Sequence, residues 1–367
     1  MFTIRKDLFQ EKLSTASRFS LSKISSIPSL QGGMLKISKN KLEIITTNLN
    51  EFFYTKIGIE TDKENEVVVD IKKIVDFLSF LSSDKINIHT DDKKLVIENG
   101  KTKASFNLIS TADFPSLPKI DGKESKLDKN FIKEKLPLVL FAAAKDEARP
   151  ILTGVNFLTK EGQRQVVATD GFRLSLISEK KKDLFPSIII SASVLTEALR
   201  LVGENEEIKI LFSDEKKIIK LTIGDADIYS RTIEGDFPPF EKVVPTDYKT
   251  RAVLNKEEFL RNIKMASVFA RDHSNIVVFD IKKDGFYISP KTKDEKETVI
   301  YQEGEVEGDQ QKIAFNYKFV LDFLTNIKGE MVVFEMGQPN DPGVFKGKDQ
   351  KDFFHIIMPI RTEEDSS

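Results

Sequence analysis

Thr90-Asp91-Asp92-Lys93-Lys94 runs into Leu95-Val96-Ile97, and the pattern returns as Ser213-Asp214-Glu215-Lys216-Lys217 followed by Ile218-Ile219. Asp91 and Asp214 are 123 positions apart. Gly100 is answered by Gly224, 124 positions on, and Asp113-Phe114-Pro115 by Asp236-Phe237-Pro238, again at 123. A third copy is fainter: Ile74-Val75-Asp76-Phe77-Leu78 resembles Val320-Leu321-Asp322-Phe323-Leu324, with Leu195-Thr196-Glu197-Ala198-Leu199 between them. Self-similarity at so long a period implies whole domains that each bury a core, not the short units of a solenoid. Three units of about 122 residues fill the 367. Boundaries near Gly122 and Thr246, in segments rich in Pro, Asp and Lys, divide the chain into 1–122, 123–246 and 247–367.

Each unit reads the same way. A short strand leads into a helix, Asp7 to Arg18 with Phe9, Leu13 and Ala16 on one face, and Glu257 to Ala270 with Phe259, Ile263 and Ala266. Alternating strands follow, such as Lys41 to Thr47 and Glu51 to Ile59. Then comes a second helix, striped by Ile71, Ile74, Val75, Leu78 and Leu81, and further antiparallel strands. The expectation is an α+β fold, two helices and roughly eight strands per repeat.

Composition removes whole classes of chemistry. There are no cysteines, so disulfides, thiol nucleophiles and Cys-ligated metals are excluded, as in a reducing compartment. The three histidines, His89, His273 and His355, are too scattered for a helical zinc motif. Basic and acidic residues nearly cancel, 56 against 58, which excludes a uniformly basic coat but leaves room for a basic patch. The longest apolar run, Leu136 to Ala144, contains Pro137 and is far short of the roughly 20 residues of a membrane span. Arg5, Lys6 and Asp7 stand where a signal peptide needs apolar residues, so a cytoplasmic protein without a membrane partner is expected.

Several motifs dissolve on inspection. Gly343 to Asp349 resembles a phosphate loop but has three residues between its glycines and Asp349 where a hydroxyl is needed, so a hairpin turn is expected. Asp225 and Asp227 lack the other ligands of a calcium loop, and Asp91 and Asp92 read as a turn. His355, within Phe353 to Ile357, reads as a strand histidine with one hydrogen-bonded nitrogen. The 28 phenylalanines read as packing rather than base-stacking platforms. No catalytic, metal or cofactor site emerges.

One segment stands out. Val166-Val167-Ala168-Thr169-Asp170-Gly171-Phe172-Arg173-Leu174-Ser175-Leu176 is a strand, a tight turn and a strand. Its core closely resembles the Ala-Thr-Asp-Gly-His-Arg-Leu signature of the bacterial sliding clamps, the beta subunits of DNA polymerase III. Phe237-Pro238-Pro239-Phe240 with Val243-Val244-Pro245, Ile356-Ile357-Met358-Pro359-Ile360-Arg361, and Asn316 to Leu324 resemble other segments of that family. The resemblance covers essentially the whole chain, the threefold repeat included.

The resemblance implies three clamp domains per chain and a head-to-tail homodimeric ring whose helices line a central hole around double-stranded DNA. Such a ring is a non-catalytic processivity factor without cofactors. It implies a pocket between the second and third domains lined by Leu152, Thr169, Gly171, Phe172, Arg173, Leu174, Pro238, Lys242, Val243, Val244, Asn316, Phe319, Met358, Pro359, Ile360 and Arg361. Gln-Leu-x-Leu-Phe-like segments of the polymerase III alpha subunit, the clamp loader, other polymerases and repair proteins would dock there, with Arg173 and Arg361 orienting the peptide. Lys12, Lys23, Lys73, Lys133, Arg200, Arg261, Lys264 and Lys318 are the DNA-facing candidates, for weak, sequence-blind phosphate attraction from helices of ten to twelve residues. Phe106, Val268 and Phe269 are implied at the dimer interface, with Lys72 and Lys73 opposite Glu295 and Glu297.

Phe172 replaces the family's usual histidine, and Lys242 stands where many relatives carry arginine. The acidic tail Thr362-Glu363-Glu364-Asp365-Ser366-Ser367 extends past the usual end and is expected to repel acidic ligands. The alternative reading is a stationary DNA-binding or scaffold protein of clamp fold. A metal-dependent nuclease would need clustered carboxylates, which the scattered acids do not offer.

Overall fold

The computed structural model describes residues 1–21, 27–82, 84–146, 148–180, 186–203, 207–272, 274–291 and 298–361. Lys23, Glu295, Glu297 and the tail 362–367 therefore lie outside the described residues. The architecture is α+β, with antiparallel sheets throughout the registered strand pairs and few helices. The chain gathers into two compact units, Met1–Lys129 with Glu197–Thr232, and Asn130–Thr196 with Ile233–Ser367. The middle repeat contributes strands to both.

In the first unit, twelve strands form one sheet. Its continuity rests on Glu51–Gly58 lying antiparallel beside Ala226–Arg231, with Phe53 opposite Ile228. Helices α1 (Lys6–Ala16) and α2 (Ile71–Ser79) pack together, burying Phe9, Leu13 and Ala16 against Ile71, Ile74 and Leu78. Asp70 starts α2 by accepting from Lys73 N, a cap worth about 1 kcal/mol. In the second unit, a nine-stranded sheet is continued through Arg173–Lys180 beside Phe353–Ile357, and a four-stranded sheet lies in the same unit.

The middle repeat departs from two full helices. Phe131–Lys135 is a π-helical turn, marked by Leu136 N donating to Phe131 O at 2.8 Å, and α3 (Pro137–Leu140) follows as a single turn. Pro137 explains the break, since its ring removes a backbone donor at the point where the helix would continue. The expectation of ten to twelve residues therefore fails here. α4 (Ala192–Leu201) and α6 (Tyr317–Asn326) are ten residues each, and α5 (Lys256–Ala270) is fifteen. Asn255 and Asn316 cap α5 and α6 through their side chains. Among the described residues, no helix is long and apolar enough to cross a membrane.

The repeat is visible in backbone detail. Gly100 and Gly224 both sit at left-handed φ, 57° and 54°. The Gly343 to Asp349 segment is a strand, Gly343–Gly347, followed by a hairpin turn into Phe353–Ile357. Asp91 Oδ1 closes its turn by accepting from Lys93 N and Lys94 N. Most of the phenylalanines are packing, with Phe80, Phe172 and Phe269 the exposed ones among the described residues. Phe259, Phe279, Phe286, Phe315, Phe323, Phe334 and Phe345 are all fully buried and in mutual edge-on or tilted contact.

Candidate functional site

The Thr169–Arg173 turn is built by its own side chains. Thr169 Oγ1 donates to Arg173 O at 2.6 Å and accepts from Gly171 N at 3.0 Å. Asp170 Oδ1 accepts from Phe172 N at 2.9 Å and Arg173 N at 3.0 Å. Gly171 adopts φ 92°, and a Cβ there would lie 3.1 Å from the Arg149 guanidinium, which itself donates to Asp170 O. The turn therefore throws Phe172 outward, 60% exposed.

Arg173 goes the other way. Its Nε donates to Asp170 Oδ2 at 3.0 Å and Nη1 to Asp322 Oδ2 at 2.5 Å, and the guanidinium lies 4.6 Å from the Phe319 ring centre and 5.7 Å from that of Phe141. With its side chain 6% exposed, Arg173 ties the turn to α6. Asp322 and Phe141 were invisible in the motif because they arrive from other elements of the fold.

Next to the turn lies an apolar floor of Val167, Leu174, Leu176, Phe240, Val344 and Ile356, with Phe237, Val244 and Phe354 half-buried against it. Alternation along Leu174–Leu176 and Phe354–Ile356 puts these side chains on one face of the sheet. Around it Phe172, Val243 and Met358 stand exposed, as do Pro238 and Lys242. Met358 N donates to Phe172 O, and Ile360 N to Ala314 O, each at 2.8 Å. These bonds pin the Met358-Pro359-Ile360 strip beside the turn, with Arg361 exposed beyond it. Leu152 and Thr169 are buried, and Asn316 is half-buried while capping α6. A cleft of about 190 Å³ lies under Val244 to Tyr248, bounded by Met336, Val344, Lys346 and Phe354. Fully covering an exposed Phe, Val or Met contributes about 1.5–3 kcal/mol, so this rim can anchor a short apolar segment.

His355 lies on the opposite face of that strand and is fully buried. Its Nδ1 is 2.8 Å from Ser175 Oγ, Nε2 has no hydrogen-bond partner among the described residues, and the ring stacks on Phe323 at 5.8 Å. Burial, with the Arg173 charge nearby, holds its pKa well below the ordinary imidazole value.

The basic candidates differ in availability. Lys12 is only 17% exposed and engaged with Asp225 at 2.7 Å, which sets it apart from an open phosphate contact. Lys73 is exposed beside Asp70, and Arg200 is exposed but paired with Glu197, which also receives Arg18. Arg261, Lys264 and Lys318 are exposed on α5 and α6, and Lys133 is half-buried in the π-helical turn.

Of the interface candidates, Phe106 is half-buried in edge contact with Phe77 at 5.8 Å. Val268 and Phe269 are exposed on α5 together with Met265, one turn away. Lys72 reaches the Leu21 carbonyl at 3.4 Å, so it is committed within the chain. Two strand edges stand out. Thr102–Ile109 pairs along one side with Lys94–Asn99, while on its other side only Leu108 and Ile109 have registered partners among the described residues. Ile300–Gln302 ends the four-stranded sheet.

Three family profiles match the chain in order. They are DNA polymerase III beta subunit N-terminal domain over residues 1–118, central domain over 126–239 and C-terminal domain over 241–361. A beta sliding clamp of Staphylococcus aureus is 27% identical over 378 aligned positions, covering 98% of this chain and 99% of that protein. The DNA polymerase III beta subunit of Thermotoga maritima superposes with a TM-score of 0.90 at 25% identity, over 98% of this chain and 99% of that one. The DNA polymerase sliding clamp of Bacillus subtilis superposes at 0.89 with 23% identity, over 98% and 99%, a likeness of fold.

Proposed function

The chain belongs to the DNA polymerase III beta-subunit family, the non-catalytic sliding clamps that give the polymerase its processivity, and from that premise we propose that two copies close head to tail into a ring around duplex DNA. One observation carries this reading. The first repeat passes Glu51–Gly58 to the last strand of the second, Ala226–Arg231, and the second passes Arg173–Lys180 to the last strand of the third, Phe353–Ile357. The same rule leaves over the corresponding strand of the third repeat, Ile300–Gln302, and the last strand of the first, Thr102–Ile109. Among the described residues Ile300–Gln302 has an open edge, as does Thr102–Ile109 outside its paired Leu108 and Ile109, and an open edge is a template for pairing with another chain. The exposed Met265, Val268 and Phe269, with Phe77 and Phe106, supply apolar area for such a contact. Lys73 facing Glu295 and Glu297 would add roughly 0–1 kcal/mol per pair.

In this reading the domains are 1–122, 123–246 and 247–367, and the ring works in the cytoplasm on the nucleoid. Lys23, Lys73, Arg200, Arg261, Lys264 and Lys318 face DNA, with Lys12 and Lys133 contributing less direct charge. Near-neutral overall charge suits a ring that must slide, since topology rather than affinity retains it. The Phe172–Met358 site takes short apolar segments of the polymerase alpha subunit, the clamp loader, other polymerases and repair proteins. Met358 supplies the adaptable surface that several partners need. Because the chain has no cysteine, the ring can be tested by disulfide trapping. Tyr301→Cys combined in turn with cysteines along Thr102–Asn107 should yield a dimer joined at two seams. Absence of cross-linking at every position would refute head-to-tail pairing.

A further inference from the structure

The turn that presents Phe172 has a second copy among the described residues. Thr47 Oγ1 donates to Glu51 O at 2.7 Å and accepts from Leu49 N at 2.9 Å, as Thr169 does with Arg173 O and Gly171 N. Asn48 Oδ1 accepts from Asn50 N and Glu51 N, as Asp170 Oδ1 does from Phe172 N and Arg173 N. Leu49 takes the left-handed backbone that Gly171 takes, φ 76° against 92°. Arg231 N donates to Asn50 O where Met358 N donates to Phe172 O. The strands follow suit. Tyr54 opposes Asp227 and Phe52 opposes Tyr229, in the register in which Leu176 opposes Phe354 and Leu174 opposes Ile356. Lys220 lies beside Tyr229 as Val344 lies beside Ile356. Phe114 and Leu117 pack over the first copy as Phe237 and Phe240 pack over the second.

The first unit thus holds a backbone copy of the site with different chemistry on its face. Where the second unit has Leu176, Phe354, Ile356 and Val344, the first has Tyr54, Asp227, Tyr229 and Lys220. Tyr54 Oη donates to Glu43 Oε1 at 2.8 Å. Lys220 Nζ lies 2.9 Å from Asp227 Oδ2 and 5.6 Å from the Tyr229 ring centre, and Thr222 Oγ1 donates to Asp227 Oδ1 at 2.6 Å. Glu43 and Asp227 are only 18% and 15% exposed. Burial and the bond to Glu43 push the Tyr54 phenol pKa upward, so it remains a donor at any ordinary pH. An apolar side chain laid on this face would cover satisfied polar groups without replacing their remaining contact with water, and beside Ile45 and Phe52, the counterparts of Val167 and Leu174, it would meet Tyr54, Lys220 and Asp227 in place of Leu176, Val344 and Phe354.

We propose that Glu43, Tyr54, Lys220 and Asp227 are specificity-determining residues that close a duplicate of the peptide site, so that each chain takes one apolar peptide anchor instead of two. This rests on the reading of the Phe172–Met358 site as the peptide site. The specificity comes from the polar network making the wrong site unfavourable, not from any difference in the backbone.

The test is calorimetric titration of the full-length dimer with a synthetic peptide ending in Gln-Leu-Ser-Leu-Phe. The unaltered chain should bind one peptide per protomer. The combined variant Asn50→Phe, Tyr54→Leu, Lys220→Val and Asp227→Phe should bind two, with unchanged dimer mass. If the unaltered chain binds none, the peptide-site reading fails. If it binds one, and the variant keeps its dimer mass and thermal midpoint but also binds one, the inference alone is overturned. Should the variant not fold, the reverse graft decides. Gln165→Glu, Leu176→Tyr, Val344→Lys and Phe354→Asp place the closing network on the open copy, and peptide affinity should fall at least tenfold. Unaltered affinity in the graft would overturn the inference.

Discussion

Replacing Arg173 by alanine should destabilise the second unit by about 3 kcal/mol. Breaking a buried ion pair costs about 3–5 kcal/mol because the partner is left without compensation. Here Asp170 is 16% exposed but Asp322 is 47% exposed, so water recovers part of the loss and the lower end applies. Asp322→Asn removes only the half-exposed partner and should cost about 0.5–1 kcal/mol. Asp170→Ala loses the Nε bond together with two turn hydrogen bonds and should cost about 2–3 kcal/mol, at roughly 1 kcal/mol per bond. Urea unfolding followed by far-ultraviolet circular dichroism gives the totals. Hydrogen exchange at Phe172 to Leu174 localises them, since the two units need not unfold together. Peptide affinity should fall in the same order, because Phe172 O loses its fixed position under Met358 N. Equal costs for Arg173→Ala and Asp322→Asn, or a cost below about 1 kcal/mol for the former, would refute this view of Arg173 as the tie between turn and helix.

Three further outcomes are expected. His355 has a folded pKa below its unfolded value of about 6.5, so the unfolded chain gains the proton. Its contribution to stability is complete above about pH 6.5 and is lost as pH falls towards the folded pKa, at no more than about 1.4 kcal/mol per pH unit; His355→Leu should flatten that slope in urea titrations at pH 5 to 7. Phe106→Ala with Phe269→Ala should shift the dimer to monomer at nanomolar concentration by mass photometry, and an unchanged mass would remove these residues from the interface. Deleting residues 362–367 should tighten peptide binding mainly at 50 mM salt and little at 300 mM, whereas equal affinities of the two forms at both concentrations would discard the tail as a repulsive element.

Much of the fold is legible because its signals are local and recur. The Lys41–Thr47 strand has the expected bounds, and α5 begins one residue before Glu257 because Asn255 supplies the cap. The Asp91 turn is likewise read from a residue that acts on its own neighbours, whereas the His355 strand is read from its apolar flanks and its hydrogen-bond partner, Ser175, lies 180 positions away. The middle repeat's first helix was less legible. Pro137 was visible in the apolar run, but whether the helix would kink, stop or pass into a π-helical turn depends on packing around Phe131 and Leu136. At the site, the turn and the Met358 strip can be read directly, while the side chains that hold Arg173 cannot. Asp322 is 149 positions away from it, and nothing in either motif states that their strands and helix meet. The same limit hid the engagement of Lys12 with Asp225 and of Lys72 with the Leu21 carbonyl, since periodicity gives the face of a helix but not the partner that reaches it.

The most direct measurement is topological retention. The protein is loaded onto nicked circular DNA with a bacterial clamp loader, the circle is linearised, and the bound fraction is followed at fixed salt. A closed sliding ring predicts stable retention on the circle and rapid loss through the ends once it is cut. Equal retention on circular and linear DNA, falling only with salt, would contradict the account and indicate stationary binding.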